Sequence, residues 1–264
     1  MLRLKLAIVF CFLCIPAFAQ TSESDAALLK EARALYDAPF ARNLASFDCT
    51  VQFDWKQHIA AHFEGTVPEA LLSTSERLQS IQHRVSVSPS GVIVASTPES
   101  PEFAGDGRAA MFEHALDGMI SGGMQAWLPF STGTVFPVGL TKYDFVKLDS
   151  GYKLTIHDPV HTTEILDAEL RVTSGVVEPP QDARFVSKLE PGPDGLLLKS
   201  ASINTISGSN GTNAFAYTYQ TVDGIQLPSE VTVSPATTEP FHFALTSCKV
   251  VKFVTVHVAP PSAH

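Results

Sequence analysis

Two pairs of histidines have a spacing that could bind a metal ion. His58 and His62 lie in "HIAAH", and His157 and His161 lie in "HDPVH". Histidines four residues apart share a face on a helix, but four residues of strand span about 13 Å, too far for one ion. The second pair contains Pro159 and lies among strand-like segments, and the first lacks the Glu of the zinc hydrolase motif. We therefore predict no metal site and no cofactor, and place these histidines in a polar strand or turn at the surface.

Nucleophilic and acid–base side chains do not form a recognisable catalytic motif. The sequence has no G-x-S-x-G elbow and no glycine-rich phosphate loop, and neither Cys49 nor Cys248 lies in a Cys-x-x-Cys pair. Carboxylates such as Glu164 and Asp167 lie beside turn signals, where acidic residues are usually solvated. The sequence therefore predicts a protein that is not an enzyme. The alternative is a hydrolase in which the His58 and His62 pair meets a carboxylate in one pocket.

The first 19 residues have the three-part pattern of a secretory signal peptide. Arg3 and Lys5 form a basic start, an apolar run of about ten residues follows, and Ala17 and Ala19 flank Phe18. A membrane span needs about 20 apolar residues, so this run predicts a cleaved signal and no stable membrane anchor. We expect cleavage after Ala19 and a periplasmic or secreted protein.

The charge of the chain limits its partners. The net charge is −9, and loss of the basic leader makes the remaining chain more acidic. An acidic chain repels phosphate backbones and anionic lipid surfaces, so neither nucleic acid nor an anionic membrane is an expected partner.

Only two cysteines lie outside the predicted leader, Cys49 and Cys248. In an oxidising compartment such a pair commonly forms a disulfide bond. We predict this bond between the first and last strands, the alternative being two buried free thiols.

The first half of the chain combines helical and strand patterns. "SESDAALLKEARALYDA" has apolar residues at helical spacing, and "FDCTVQFDW" alternates and predicts a strand with one apolar face. "PEALLSTSERLQSIQ" and "GDGRAAMFEHALDGMISGG" predict two further helices, the second ending at Gly122 and Gly123. "MQAWLPFSTGTVFP" then places Trp127, Phe130 and Phe136 among turn residues.

From Tyr143 onward, short alternating runs separated by turn signals predict about eight strands. Short loops between strands produce antiparallel neighbours, and the apolar face of such a meander must be covered. The only available cover is the helices of the first half. We therefore predict the α+β class, with a curved antiparallel β-meander (an incomplete barrel) covered by N-terminal amphipathic helices. Residues 20–258 would form one domain, and residues 259–264 a disordered tail.

One hairpin carries a family resemblance. A Tyr-rich strand leads into Val-Asp-Gly-Ile-x-Leu-Pro at Val222–Pro228, after a signal peptide and a helix that precedes an apolar strand. This combination resembles the LolA-like lipoprotein-carrier superfamily, which includes outer-membrane lipoprotein-sorting proteins, and the likeness extends over about residues 143–258. The resemblance implies an incomplete β-barrel closed by helices, an apolar cavity that takes acyl chains, and no catalytic motif.

Large apolar side chains could line such a cavity. The candidates are Trp55, Phe112, Met119, Trp127, Phe215, Tyr217 and Tyr219. The alternative is that these side chains fill an ordinary core. We expect an exported, non-enzymatic binding protein that holds an acyl chain, a lipoprotein or another apolar ligand. A second possibility is an envelope sensory or scaffold domain that binds another protein, with a filled core and an exposed apolar patch or sheet edge.

Overall fold

The computed structural model describes residues 23–55, 69, 73, 76, 78–79, 81–96, 107–137, 139, 141–205, 211–236 and 239–253. The predicted leader, the His58 and His62 pair and the predicted tail lie outside these residues, as do the side chains of Glu23 and of residues 107–112. None of the helices within the described part of the chain is long and apolar enough to cross a membrane.

Three helices have defined bounds in the described residues. They are α1 (Glu23–Ala34), α2 (Pro39–Arg42) and α3 (Gly107–Thr132). Helix α1 buries Leu29 and Ala32 on one side, in agreement with its helical spacing. Pro39 ends the first helical pattern and begins α2, because a proline in the first turn of a helix lacks only an N–H that has no intrahelical partner there.

Helix α3 is longer than the sequence predicts. It continues through Gly122 and Gly123, where it was expected to end, and through Pro129 to Thr132. A Cβ atom at Gly123 would lie 3.0 Å from Cγ1 of Val231, so the missing side chain lets the helix approach the sheet. The glycine therefore serves a close helix–sheet contact instead of a helix end, and Trp127 lies on the helix instead of in a turn.

The described residues form one sheet of twelve antiparallel strands. The strands are β1 (Leu44–Phe53), β2 (His83–Ser88), β3 (Gly91–Ser96), β4 (Tyr143–Leu148), β5 (Gly151–Ile156), β6 (Thr162–Leu166), β7 (Val172–Val177), β8 (Ala183–Gly192), β9 (Gly195–Thr205), β10 (Thr212–Val222), β11 (Ile225–Ser234) and β12 (Phe241–Lys252). Their order is β3-β2-β1-β12-β11-β10-β9-β8-β7-β6-β5-β4. Strands β4 to β12 form the predicted meander. Strand β1 pairs with β12 on one side and with β2 on the other, and so joins β2 and β3 to the end of the meander. The sheet is open, with β3 and β4 as its edges, and is consistent with an incomplete barrel.

Two details of the strand prediction are wrong. The segment read as one run, "TTEILDAELRVTS", forms two strands, β6 and β7, so nine strands follow Tyr143 instead of about eight. The turn between them is held by Asp167, whose Oδ1 accepts hydrogen bonds from the backbone N–H groups of Glu169 and Arg171 at 3.1 and 2.9 Å. The β2–β3 hairpin is absent from the sequence predictions.

The predicted disulfide is confirmed. Cys49 of β1 and Cys248 of β12 are bonded and are separated by 199 residues in the sequence. In the chain-entropy model, closing a loop this long stabilises the fold by about 5 kcal/mol, because it restricts the unfolded chain. The bond links β1 to its neighbour β12, where strands β1–β3 join the meander of β4–β12.

Candidate ligand-binding site

One face of the sheet, the inner face, carries the buried side chains of alternate strand residues and lies against helix α3. On β1, Phe47 packs against Trp127 of α3, with ring centroids 5.9 Å apart. On β10, the hydroxyl of Tyr217 donates a hydrogen bond to the carbonyl oxygen of Gly123 at 2.7 Å. Phe243 of β12 lies close to the same glycine. We call the inner face of β1 and β10–β12 the filled half.

Most of the side chains predicted to bind a ligand lie in or beside this filled half. Trp55, Trp127, Phe215 and Tyr217 are buried, Met119 and Tyr219 are partly buried against the core, and the side chain of Phe112 is outside the described residues. The Trp55 ring contacts those of Phe53 and Phe241, with centroids 5.2 and 5.6 Å apart. None of the seven is among the described residues that line the cleft below. Their role in ligand binding stays a prediction.

A cleft of about 470 Å³ lies where the C-terminal part of α3 faces strands β6–β9. Its lining residues are Gln125, Ala126, Pro129, Phe130, Thr134, Val135, Val160, Thr162, Glu164, Val177, Gln181, Ala183, Phe185, Ala201 and Ile203. Sites for small molecules typically measure about 300–1,000 Å³ and have mainly apolar walls. We call the inner face of β6–β9 the open half.

The floor of the cleft follows from the strand register. Glu164 of β6 pairs with Gly175 of β7, which pairs with Phe185 of β8. The side chains of Glu164 and Phe185 therefore point to the inner face, on either side of the glycine. A Cβ atom at Gly175 would collide with the Phe185 ring, so the glycine allows this ring to lie flat over the sheet. On β8 and β9, the cleft is lined by the small side chains of Ala183 and Ala201. The space between sheet and helix is therefore left unfilled here.

Glu164 is the one ionisable side chain among the described residues that line the cleft. It is 3% exposed, and its Oε2 atom is buried without a hydrogen-bond partner in the described structure. Burial raises the pKa of Glu164 well above its ordinary value, because the charged carboxylate loses its water. Below this raised pKa the carboxyl group is the neutral acid, which avoids the burial of an unpaired charge.

The expectation that Glu164 is solvated beside a turn is wrong. The residue lies in the middle of β6, where alternation places it in phase with Thr162 and the buried Leu166. That phase is readable from "TTEIL", but which phase faces inward is set only by the neighbouring strands. A glutamate in the apolar phase of a strand is the sequence signal that could have identified this site.

The rings of His157 and His161 lie much closer to each other than the spacing of four residues along a strand predicts. The two rings are stacked with centroids 5.3 Å apart, because the histidines flank the connection at which β5 turns back into β6. Nε2 of His157 lies 2.8 Å from Asp144, and Nδ1 of His161 lies 2.7 Å from Glu178. Each ring is thus engaged by its own carboxylate, and no group of three or more metal-ligating side chains occurs in the part of the chain that the structure describes.

The hydrolase alternative depends on His58 and His62, which lie outside the described residues. The hydrolase alternative therefore stays a prediction.

No family model, no curated protein and no solved structure matches this chain. The likeness to the lipoprotein-carrier superfamily consequently stays an expectation based on the hairpin residues. The proposals below are drawn from the geometry and chemistry of the cleft.

Proposed function

We propose that this protein is an exported, non-enzymatic binding protein that holds an acyl chain or another apolar ligand in the cleft between α3 and strands β6–β9. The observation that carries this proposal is the cleft itself, which has ligand size and mostly apolar walls. A ligand that fills it removes apolar surface from water, which favours binding by about 25 cal/mol per Å². Glu164 is the one ionisable side chain among the described residues that line the cleft, and its Oε2 atom has no hydrogen-bond partner among them.

The wider proposal includes the architecture and the compartment. We take the open sheet as an incomplete barrel covered by helices from the N-terminal half, in one domain of residues 20–258. Helix α3, which lies against β2, β3, β9 and β11, supports this description. The disulfide between Cys49 and Cys248 supports export to the periplasm or beyond, because such bonds persist in oxidising compartments. Kinship with the lipoprotein carriers is part of the same proposal.

Binding is tested with diphenylhexatriene, a hydrocarbon that fluoresces when it leaves water, titrated into the purified protein. We expect saturable binding to the wild type. Substitution of Ala183 by Trp should fill the cleft and weaken binding by tenfold or more, which corresponds to about 1.4 kcal/mol. Native mass spectrometry of protein purified without detergent should in addition detect a bound lipid.

The matched control is Val186→Trp, which places the same side chain on the same strand. Val186 is 52% exposed and lies on the opposite face of β8, so this variant should bind the probe as the wild type does. The proposal fails if the wild type binds neither probe nor lipid at micromolar concentration. It also fails if the two tryptophan variants bind equally well.

A second candidate is a sensory or scaffold domain that binds another envelope protein. The observation in its favour is the edge strand β4, on which Val146 and Leu148 are 46% and 38% exposed. An exposed strand edge can pair with a strand of a partner. This function predicts an envelope protein that copurifies with the wild type and is lost with Val146→Glu, while the cleft binds no probe.

A further inference from the structure

The open half contains a buried carboxyl group, Glu164, whose Oε2 atom has no hydrogen-bond partner in the described structure. Glu164 occupies the centre of β6, between Leu154 of β5 and Gly175 of β7. An apolar residue at this position would cover the strand at no electrostatic cost, whereas a buried polar atom without a partner is destabilising. Such an atom in a ligand-sized cleft marks the point at which a polar group of the ligand can be bound.

Asp37, a second buried carboxyl group among the described residues, has a cationic partner that Glu164 lacks. Asp37 is 4% exposed and forms an ion pair with Arg42 through one of its two oxygens. Burial raises the pKa of Asp37, and the positive charge of Arg42 opposes that shift. Glu164 has no such cation, because none of the described residues that line its cleft is Lys, Arg or His.

Apart from Glu164, the described residues that line the cleft are neutral. Gln125 on α3 and Thr162 on β6 are polar, and β7 and β8 contribute Val177 and Phe185. Burial raises the pKa of Tyr36, and a negative charge on Glu164 would raise it further. The Tyr36 hydroxyl therefore stays neutral and accepts a hydrogen bond from the backbone N–H of Val172 at 2.7 Å.

The charged groups closest in sequence are engaged elsewhere. His161, three residues before Glu164, is paired with Glu178. Asp167, three residues after Glu164, is paired with Arg171 at 2.7 Å. The positive charge of Arg171 is therefore already paired with Asp167 and not with Glu164.

We propose that the cleft selects apolar ligands that carry a primary amine, whose ammonium group forms an ion pair with Glu164. This inference rests on the proposed binding function and specifies the polar end of the ligand. A charge-assisted hydrogen bond between ammonium and carboxylate is about twice as strong as one between neutral groups, and it is strengthened by apolar surroundings. A free carboxylate ligand would meet no basic side chain among the described residues that line the cleft, and the acidic chain, with a net charge of −9, attracts cations towards the protein.

The proton balance of this binding step gives a pH signature. Below its raised pKa, the Glu164 carboxyl group of the empty cleft is protonated, and the free amine is an ammonium ion below its pKa of about 10.4, as in lysine. Formation of the ion pair releases the carboxyl proton to water, while the ammonium keeps its own. Affinity should therefore rise about tenfold per pH unit until the pKa of the empty cleft's Glu164 is passed, and should then be constant.

Three ligands of equal chain length test the selection: dodecylamine, dodecanol and dodecanoate, each used to displace diphenylhexatriene from the purified protein between pH 5 and pH 8. We expect dodecylamine to bind at least about tenfold more tightly than dodecanol, a difference of about 1.4 kcal/mol. In Glu164→Gln this preference and its pH dependence should disappear, while diphenylhexatriene, which has no polar group, binds as before.

The control for general attraction of cations to an acidic surface is Asp149→Asn, which removes one exposed carboxylate in the β4–β5 turn. This variant should keep the full preference for the amine. Stronger binding of dodecanol or dodecanoate, or an amine preference that survives in Glu164→Gln, would overturn the inference and leave the binding function intact. Loss of diphenylhexatriene and all three ligands together would instead remove the binding function itself.

Discussion

The filled half and the open half belong to the same face of one sheet and meet the same helix, yet only one of them is a solid core. In the filled half, Tyr217, Val231 and Phe243 form a row across β10–β12 and reach α3 at Gly123. In the open half, the small side chains of Ala183 and Ala201 line a cleft between the sheet and the same helix. The difference shows that core and cavity are assigned by side-chain volume along a continuous sheet, without any change in strand topology.

The two halves also differ in how buried polar groups are satisfied. In and beside the filled half, the hydroxyls of Tyr217 and Tyr219 donate hydrogen bonds to the carbonyl oxygens of Gly123 and Leu198, each at 2.7 Å. In the open half, Oε2 of Glu164 has no partner among the described residues. Buried polar groups in native proteins are nearly always paired, so an exception inside a cleft points to a ligand more than to stability.

The largest expected contrast comes from truncating one aromatic side chain in each half. Trp127→Ala should lower the free energy of unfolding by about 3–5 kcal/mol, because it leaves a cavity against Phe40 and Phe47. Phe185→Ala should cost about 1 kcal/mol, since its ring already borders open space. Urea denaturation followed by circular dichroism measures both, and equal costs would contradict the division into two halves.

A smaller effect should separate two adjacent glycines of α3. Gly123→Ala should destabilise the protein by about 1–3 kcal/mol, because its Cβ would press on the fully buried Val231. Gly122→Ala, whose Cβ would meet no atom within 4 Å, should stabilise the helix by about 0.5–1 kcal/mol. The same denaturation experiment compares them. A stabilising Gly123→Ala would mean that the helix does not press on the filled half.

A further prediction concerns how the stability of the protein depends on pH through Glu164. Its native pKa is raised, so the native state holds a proton that the unfolded chain loses near pH 4.3, and stability is present below that pH and declines as pH rises through the native pKa. Over this window the wild type should lose about 1.4 kcal/mol per pH unit relative to Glu164→Gln. Unfolding curves for both proteins between pH 4 and pH 8 test this. A constant difference across the window would show that Glu164 ionises freely in the native state.

Local patterns were sufficient for most of the hairpins after Tyr143 and for most of the strand faces. The alternation of "FDCTVQFDW" correctly placed Phe47, Cys49, Val51 and Phe53 on one buried face, because side chains of a strand alternate with period two. The Asp-Gly turn before Ile225 likewise identified the β10–β11 hairpin. These features depend on residues that are close in the sequence, so a single chain contains enough information to predict them.

Features that depend on distant neighbours were missed or misread. Helix α3 continues past Gly122 and Gly123 because the sheet lies against Gly123, and no residue near the glycines in sequence carries that information. His157 and His161 stack because β5 and β6 are paired, which the spacing of four residues does not reveal.

The sequence by itself determined an antiparallel meander, its hairpin turns and the pairing of Cys49 with Cys248, because period-two alternation, turn residues and a single cysteine pair outside the leader leave few other arrangements. Only the tertiary structure decided where the inner face is filled and where it is open, and that Glu164 is buried in the open part. The reason is that a cavity depends on the summed volume of side chains from a helix and several strands that are far apart in the chain.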